Sequence, residues 1–97
     1  MALCLSRHLR ERMRLRGIPE GLPQSIYREA DGHFLDAETG LLVAVKRLPF
    51  QGRERDMSLS YTKSGDDVLL VTLHPLREGQ RERRITSGRW TTYEPEG

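Results

Sequence analysis

The side chains with the most chemical reach in this 97-residue sequence are its arginines, with three isolated histidines among them. The sixteen cations divide into fourteen Arg and two Lys, Lys46 and Lys63. Arginine's planar fork meets phosphate or carboxylate through two parallel hydrogen bonds. The arginines of interest cluster with hydroxyl groups near the ends of predicted strands: Lys46 and Arg47, Arg53 and Arg55, Tyr61, His74, then Arg81, Arg83, Arg84 and Arg89. Such a set suits a cationic groove over a sheet that holds RNA phosphates. It equally suits a charged edge strand that resists sheet-to-sheet aggregation. Histidine is the natural proton carrier near neutral pH, with an ordinary pKa of about 6.5. His8, His33 and His74 stand singly, without the spacing of a metal site. A phosphate-cradling glycine loop and a nucleophile elbow are both missing from the sequence. Asp66-Asp67 reads as turn chemistry rather than as a carboxylate pair.

Those groups need elements to position them. Ser6 to Arg16 reads as a helix capped by Ser6 and closed by Gly17, with Leu5, Leu9 and Met13 on one stripe. Arg7, Arg10 and Arg14 fall on the opposite, solvated face. Arg12 falls beside the apolar stripe, with His8 one turn before it and Arg16 one turn after. There it either meets an anionic partner or snorkels to water. Leu22 to Ala30 reads as a second helix, ended by Asp31-Gly32.

Strands are expected at His33–Ala37, Leu41–Leu48 and Arg55–Lys63, the last with Met57, Leu59 and Tyr61 alternating on one face. Phe50 to Glu54 reads as a loop. The run Asp67 to Pro75 is the most apolar in the chain and reads as the central strand, buried on both faces, with His74 where it leaves the core. Leu76 to Arg81 reads as a polar loop, Glu82 to Trp90 as a fifth strand, and Thr91 to Gly97 as a loose tail. The expected fold class is α+β: one domain, with two N-terminal helices packed on one face of a four- to five-stranded, mostly antiparallel sheet.

Composition agrees with a small core inside a charged shell, 36% hydrophobic and 31% charged, so disorder is not expected. Six aromatic residues leave no large platform for stacking bases. Cys4 is the sole cysteine, so an internal disulfide is excluded. Met1 to Leu5 is too short for a signal-peptide core, and a cytoplasmic protein with no membrane partner is expected.

The pattern His8-x3-Arg12-Met13-x2-Arg16-Gly17-Ile18 resembles the opening helix of a family of small bacterial and phage domains of unknown function. That family is related to BrnT toxins and, more distantly, to RelE-type ribonuclease toxins. The closing Arg84-Ile85-Thr86-Ser87-Gly88-Arg89 is similar to the ending of BrnT proteins, with Gly88 where those have Ala. The resemblance covers most of residues 6–90, though residues 32–55 depart from it.

It implies a toxin-like endoribonuclease that acts on RNA without metal or cofactor, and an antitoxin partner encoded nearby. In such chemistry the 2′-hydroxyl attacks the neighbouring phosphorus. A base takes its proton, cations meet the added charge, and an acid protonates the leaving 5′-oxygen. The implied proton carriers are His8 or His74, with His8 favoured because it shares the helix edge with Arg12. The implied phosphate ligands are Arg12, Arg16, Lys46, Arg84 and Arg89. Tyr61 is less suited, because its strand neighbours place it on a core face. The alternatives are a non-catalytic nucleic-acid-binding module and a protein-interaction module of the same fold.

Overall fold

The computed structural model describes residues 1–95. The elements run β1 (Leu3–Leu5), α1 (Arg7–Arg16), α2 (Leu22–Glu29), β2 (Gly32–Asp36), β3 (Leu42–Phe50), β4 (Arg53–Ser64), β5 (Asp67–Pro75), α3 (Gln80–Thr86) and β6 (Trp90–Thr92). The fold is α+β, with a six-stranded mixed sheet in the order β1-β5-β4-β3-β2-β6. Only β1 and β5 run parallel; the remaining neighbours are antiparallel.

The helix starts and stops follow local chemistry. Ser6 accepts a hydrogen bond from the Leu9 amide at 3.0 Å and so caps α1. Gly17 closes that helix in the left-handed region, φ 63°, which costs glycine little. Leu9 and Met13 of α1 pack with Ile18 and with Ile26 and Tyr27 of α2. All of them lie against Ala44, Met57, Leu59, Tyr61, Leu70 and Leu73, which is one face of the sheet. The other face carries a second, smaller core of Phe34, Val43, Val45, Leu76 and Trp90. Cross-strand register separates the two faces: Ala44 stands opposite Leu59, whereas Val45 stands opposite Ser58.

Several expectations need correction. The sheet has six strands, because the ends of the chain add β1 and β6. β1 is three residues long and is held by Ser6 N–H to the Leu70 carbonyl and Val68 N–H to the Ala2 carbonyl. The expected tail is ordered into β6 at Thr91–Thr92, beside β2; residues 96–97 of that tail lie outside the described residues. β5 is not the centre of the sheet. It lies second from an edge and buries Val68, Leu70 and Leu73 on one face, while Leu69, Thr72 and His74 stay part-exposed.

The expected loop after Phe50 is a two-residue hairpin turn, with Gln51 and Gly52 both at positive φ. Pro49 sits inside β3 without cost to pairing with β2, because β2 pairs with β3 only as far as Val45.

The largest correction is at Glu82–Trp90. Gln80 to Thr86 forms a helix, not a strand. Its Gln-Arg-Glu-Arg-Arg run favours helix over strand. Gly88 then turns the chain at φ 82° into β6. The alternation that put Arg83 and Arg84 on opposite faces of a strand therefore does not exist. α3 buries none of its residues and lies over the second core, with Arg81 above the Phe34 ring at 6.0 Å and Arg84 above the Trp90 ring at 5.2 Å.

Candidate functional site

A helix with no buried side chain is held mainly through its ends. Before α3, Arg47 binds Glu78 at 3.0 Å and Asp56 at 3.4 Å. After it, Arg89 grips Asp36 through Nε at 3.0 Å and Nη2 at 3.1 Å. Asp36, 3% exposed, also accepts from Trp90 Nε1 at 3.2 Å and from the Glu38 and Thr39 amides. Burial works against its charge, but these hydrogen bonds outweigh it and hold its pKa down at about 2. The two anchors fix α3, and with it Arg84, over the sheet.

His74 lies opposite Ser58 on the sheet face away from α1 and α2. It is near the end of β5, on the stretch that β1 does not reach. α1 begins against that same edge, where the Ser6 hydroxyl donates to the Val71 carbonyl at 2.8 Å. Arg16 and His74 line one small cleft of about 50 Å³, with Ile18, Phe50 and Leu73 among its walls. Burial lowers the His74 pKa, and the positive charges of Arg84, Arg12 and Arg16 lower it further. No carboxylate contributes to its surroundings among the described residues. The imidazole thus feels three guanidinium charges, one from α3 and two from α1. Burial and the Arg89 charge ease the Arg84 pKa down, yet arginine remains cationic at any working pH.

Of the sequence-derived candidates, Arg16 and His74 therefore share one cleft, and the charges of Arg12 and Arg84 reach the imidazole. The other three do not join it in the same way. His8 is exposed, one turn before Arg12, and makes no hydrogen bond to a described residue. Lys46 lies beside Met57 on the helix-covered face and does not line the cleft. Arg89 is occupied by Asp36 and by Glu38 at 3.2 Å, so its fork is not open to phosphate. Tyr61 is fully buried and lies 2.7 Å from His33 Nδ1, in a set of edge-to-face rings with Tyr27. Its burial pushes its pKa up, which suits a core residue.

Sequence reasoning placed Ser58, Ser60 and Thr62 on one strand face but not beside Thr72 and His74. Register puts them there, Ser58 buried and Ser60, Thr62 and Thr72 part-exposed, with Cys4 on the same face through Leu69. Strand alternation in β4 carried that signal, once β5 was known to be its neighbour. Among the described residues no group of three or more metal-ligating side chains occurs, and no helix is long and apolar enough to cross a membrane.

Compared with known proteins, the chain matches no family model, and neither a curated protein nor a solved structure matches it significantly.

Proposed function

We propose that this chain is a toxin-like, metal-independent endoribonuclease, or a close relative of one, that works on single-stranded RNA. The observation that carries the reading is the cleft that Arg16 and His74 line together, with the charges of Arg12 and Arg84 also reaching the imidazole. An imidazole kept neutral by burial and by like charge is a base waiting for a proton. A phosphodiester entering the cluster supplies the anion that the three arginines lack. His74 then takes the 2′-hydroxyl proton, and Arg12, Arg16 and Arg84 meet the charge that develops on the phosphorane oxygens. The leaving 5′-oxygen takes its proton from water, because His8 stands outside this cluster. The hydroxyls of Ser60, Thr62 and Thr72 line the open face along which the flanking nucleotides lie.

The RelE- and BrnT-like kinship rests on the sequence patterns at residues 8–18 and 84–89. The cytoplasm is the compartment in which such an activity meets its substrate. An adjacent antitoxin partner belongs to the same reading.

The test is cleavage of an end-labelled single-stranded RNA in the presence of a chelator. The parent chain is expected to cut it, and His74→Ala to cut roughly 10²- to 10⁴-fold more slowly, the usual worth of one acid–base group. An intact substrate after prolonged incubation with folded parent protein would remove the catalytic reading. Retained, salt-sensitive binding would then leave a nucleic-acid-binding module.

A further inference from the structure

RNA cleavage as proposed above leaves His33 unused. It is part-buried on β2, opposite Ala44 and on the sheet face that α1 and α2 cover. Its Nδ1 lies 2.7 Å from the hydroxyl of Tyr61 on β4, a residue with no exposed surface. The Tyr27 ring of α2 meets both rings edge-on, at 5.5 and 5.0 Å between centres. The imidazole also hydrogen-bonds the Tyr27 carbonyl, one of the last four of α2. Asp31, whose N–H would continue that helix onto it, donates instead to the Val45 carbonyl at 2.7 Å. One side chain thus joins the C-terminal end of α2 to an interior strand of the sheet.

A neutral imidazole carries one N–H. These partners assign it to Nε2, facing the Tyr27 carbonyl, while the Tyr61 hydroxyl donates to Nδ1. A second proton reverses the latter bond. Nδ1 then donates, and the Tyr61 hydrogen loses its acceptor inside the core. The groups facing the ring offer no relief: α2 brings Tyr27, β4 brings Tyr61 and β3 brings Ala44. Tyr93, past β6, gives its N–H to the His33 carbonyl at 2.9 Å. Among the described residues no carboxylate or cation adds to the balance, so burial lowers the His33 pKa and the Tyr27 carbonyl only partly offsets it. With the folded value below the unfolded 6.5, the stability held in this bond is whole above that pH and is lost as the pH falls through the folded value. α2 has eight residues and starts at Gly21 without a side-chain cap, so tertiary contacts are what keep it helical. We propose that His33 is a proton-operated latch: taking up a proton releases α2 from the sheet while β3, β4 and β5 hold together.

Native-state hydrogen exchange of the full chain tests this without any RNA. Once intrinsic exchange rates are divided out, protection of the α2 amides is expected to fall at least threefold more than that of the β4 amides as the pH is lowered. That extra fall is expected to set in near pH 6.5 and to level off at the His33 pKa that NMR titration of the folded parent reads. His33→Gln, which does not titrate, is expected to make α2 protection follow that of β4 throughout. His74→Gln is expected to leave the extra fall in place. The proposal is overturned if α2 and β4 lose protection together in the parent, or if the extra fall survives in His33→Gln or vanishes in His74→Gln. It is overturned as well if the levelling point departs from the folded His33 pKa, a parent-only comparison that decides the matter even where His33→Gln does not fold.

Discussion

Arg89 and Asp36, 53 positions apart, meet through two hydrogen bonds of 3.0 and 3.1 Å between guanidinium and carboxylate. The pair closes β6 onto β2 and sets Trp90 beneath Arg84. An ion pair far from His74 thus governs where one of the three arginines around that imidazole stands.

Asp36→Asn is expected to destabilise the fold by about 2 kcal/mol, the worth of a pKa held near 2 rather than at 3.8. The sign follows from the depressed folded pKa. The contribution is whole above about pH 4 and is lost as the pH falls towards 2. Urea unfolding read by Trp90, the only tryptophan, is expected to show this acid loss in the parent and a flatter profile in the variant. Equal acid profiles would contradict it. RNA affinity is expected to fall in the variant as well, through the displaced Arg84.

Each arginine of the cluster is expected to leave a trace in salt dependence. Replacing Arg12, Arg16 or Arg84 with Gln removes one phosphate contact. The slope of log affinity against log salt for single-stranded RNA then shrinks by ~0.7 per residue. Arg89→Gln is expected to act instead through stability, because its fork is spent on Asp36. Binding measured at four salt concentrations separates the two behaviours. An unchanged slope in all three cluster variants would place the phosphates elsewhere.

Tyr61→Phe is expected to lower stability by roughly 1–2 kcal/mol, since it strands His33 Nδ1 in a part-buried site. RNA cleavage per folded molecule is expected to be unchanged, because Tyr61 is wholly buried. A large drop in turnover with little loss of stability would instead place Tyr61 in the chemistry.

Cys4 offers a footprint of the open face. It is exposed and shares that face with Thr62 and, further along the sheet, His74. A bound 2′-O-methyl oligonucleotide, which cannot be cleaved, is expected to slow alkylation of Cys4. An alkylation rate indifferent to a saturating oligonucleotide would send the strand off this face.

Much of the frame was readable from residue order. Ser6 and Gly17 mark the first helix because capping is local chemistry, and Met57-Leu59-Tyr61 mark a strand because alternation is local geometry. What escaped was decided at a distance. Leu3-Cys4-Leu5 carries too little apolar signal to announce a strand, and becomes one only because the edge of β5 is open beside it. Arg84-Ile85 looked like part of a strand, but Ile85 remains 42% exposed and buries nothing that would hold one. The sequence favoured His8, because it shares a helix edge with Arg12. Burial and the charges of three arginines point to His74 instead, and neither could be read before α1 and α3 were placed around β5.

The central claim is that burial first, and then the charges of Arg84, Arg12 and Arg16, hold the His74 pKa down, and that a bound phosphate offsets those charges. NMR titration of the His74 imidazole tests it directly. In the free chain its pKa is expected below the ordinary 6.5, and Arg84→Gln is expected to raise it. A saturating 2′-O-methyl oligonucleotide is expected to raise it in the parent, as the bound phosphate offsets the arginines. An imidazole that titrates at its ordinary value, and moves with neither the substitution nor the oligonucleotide, would contradict the account.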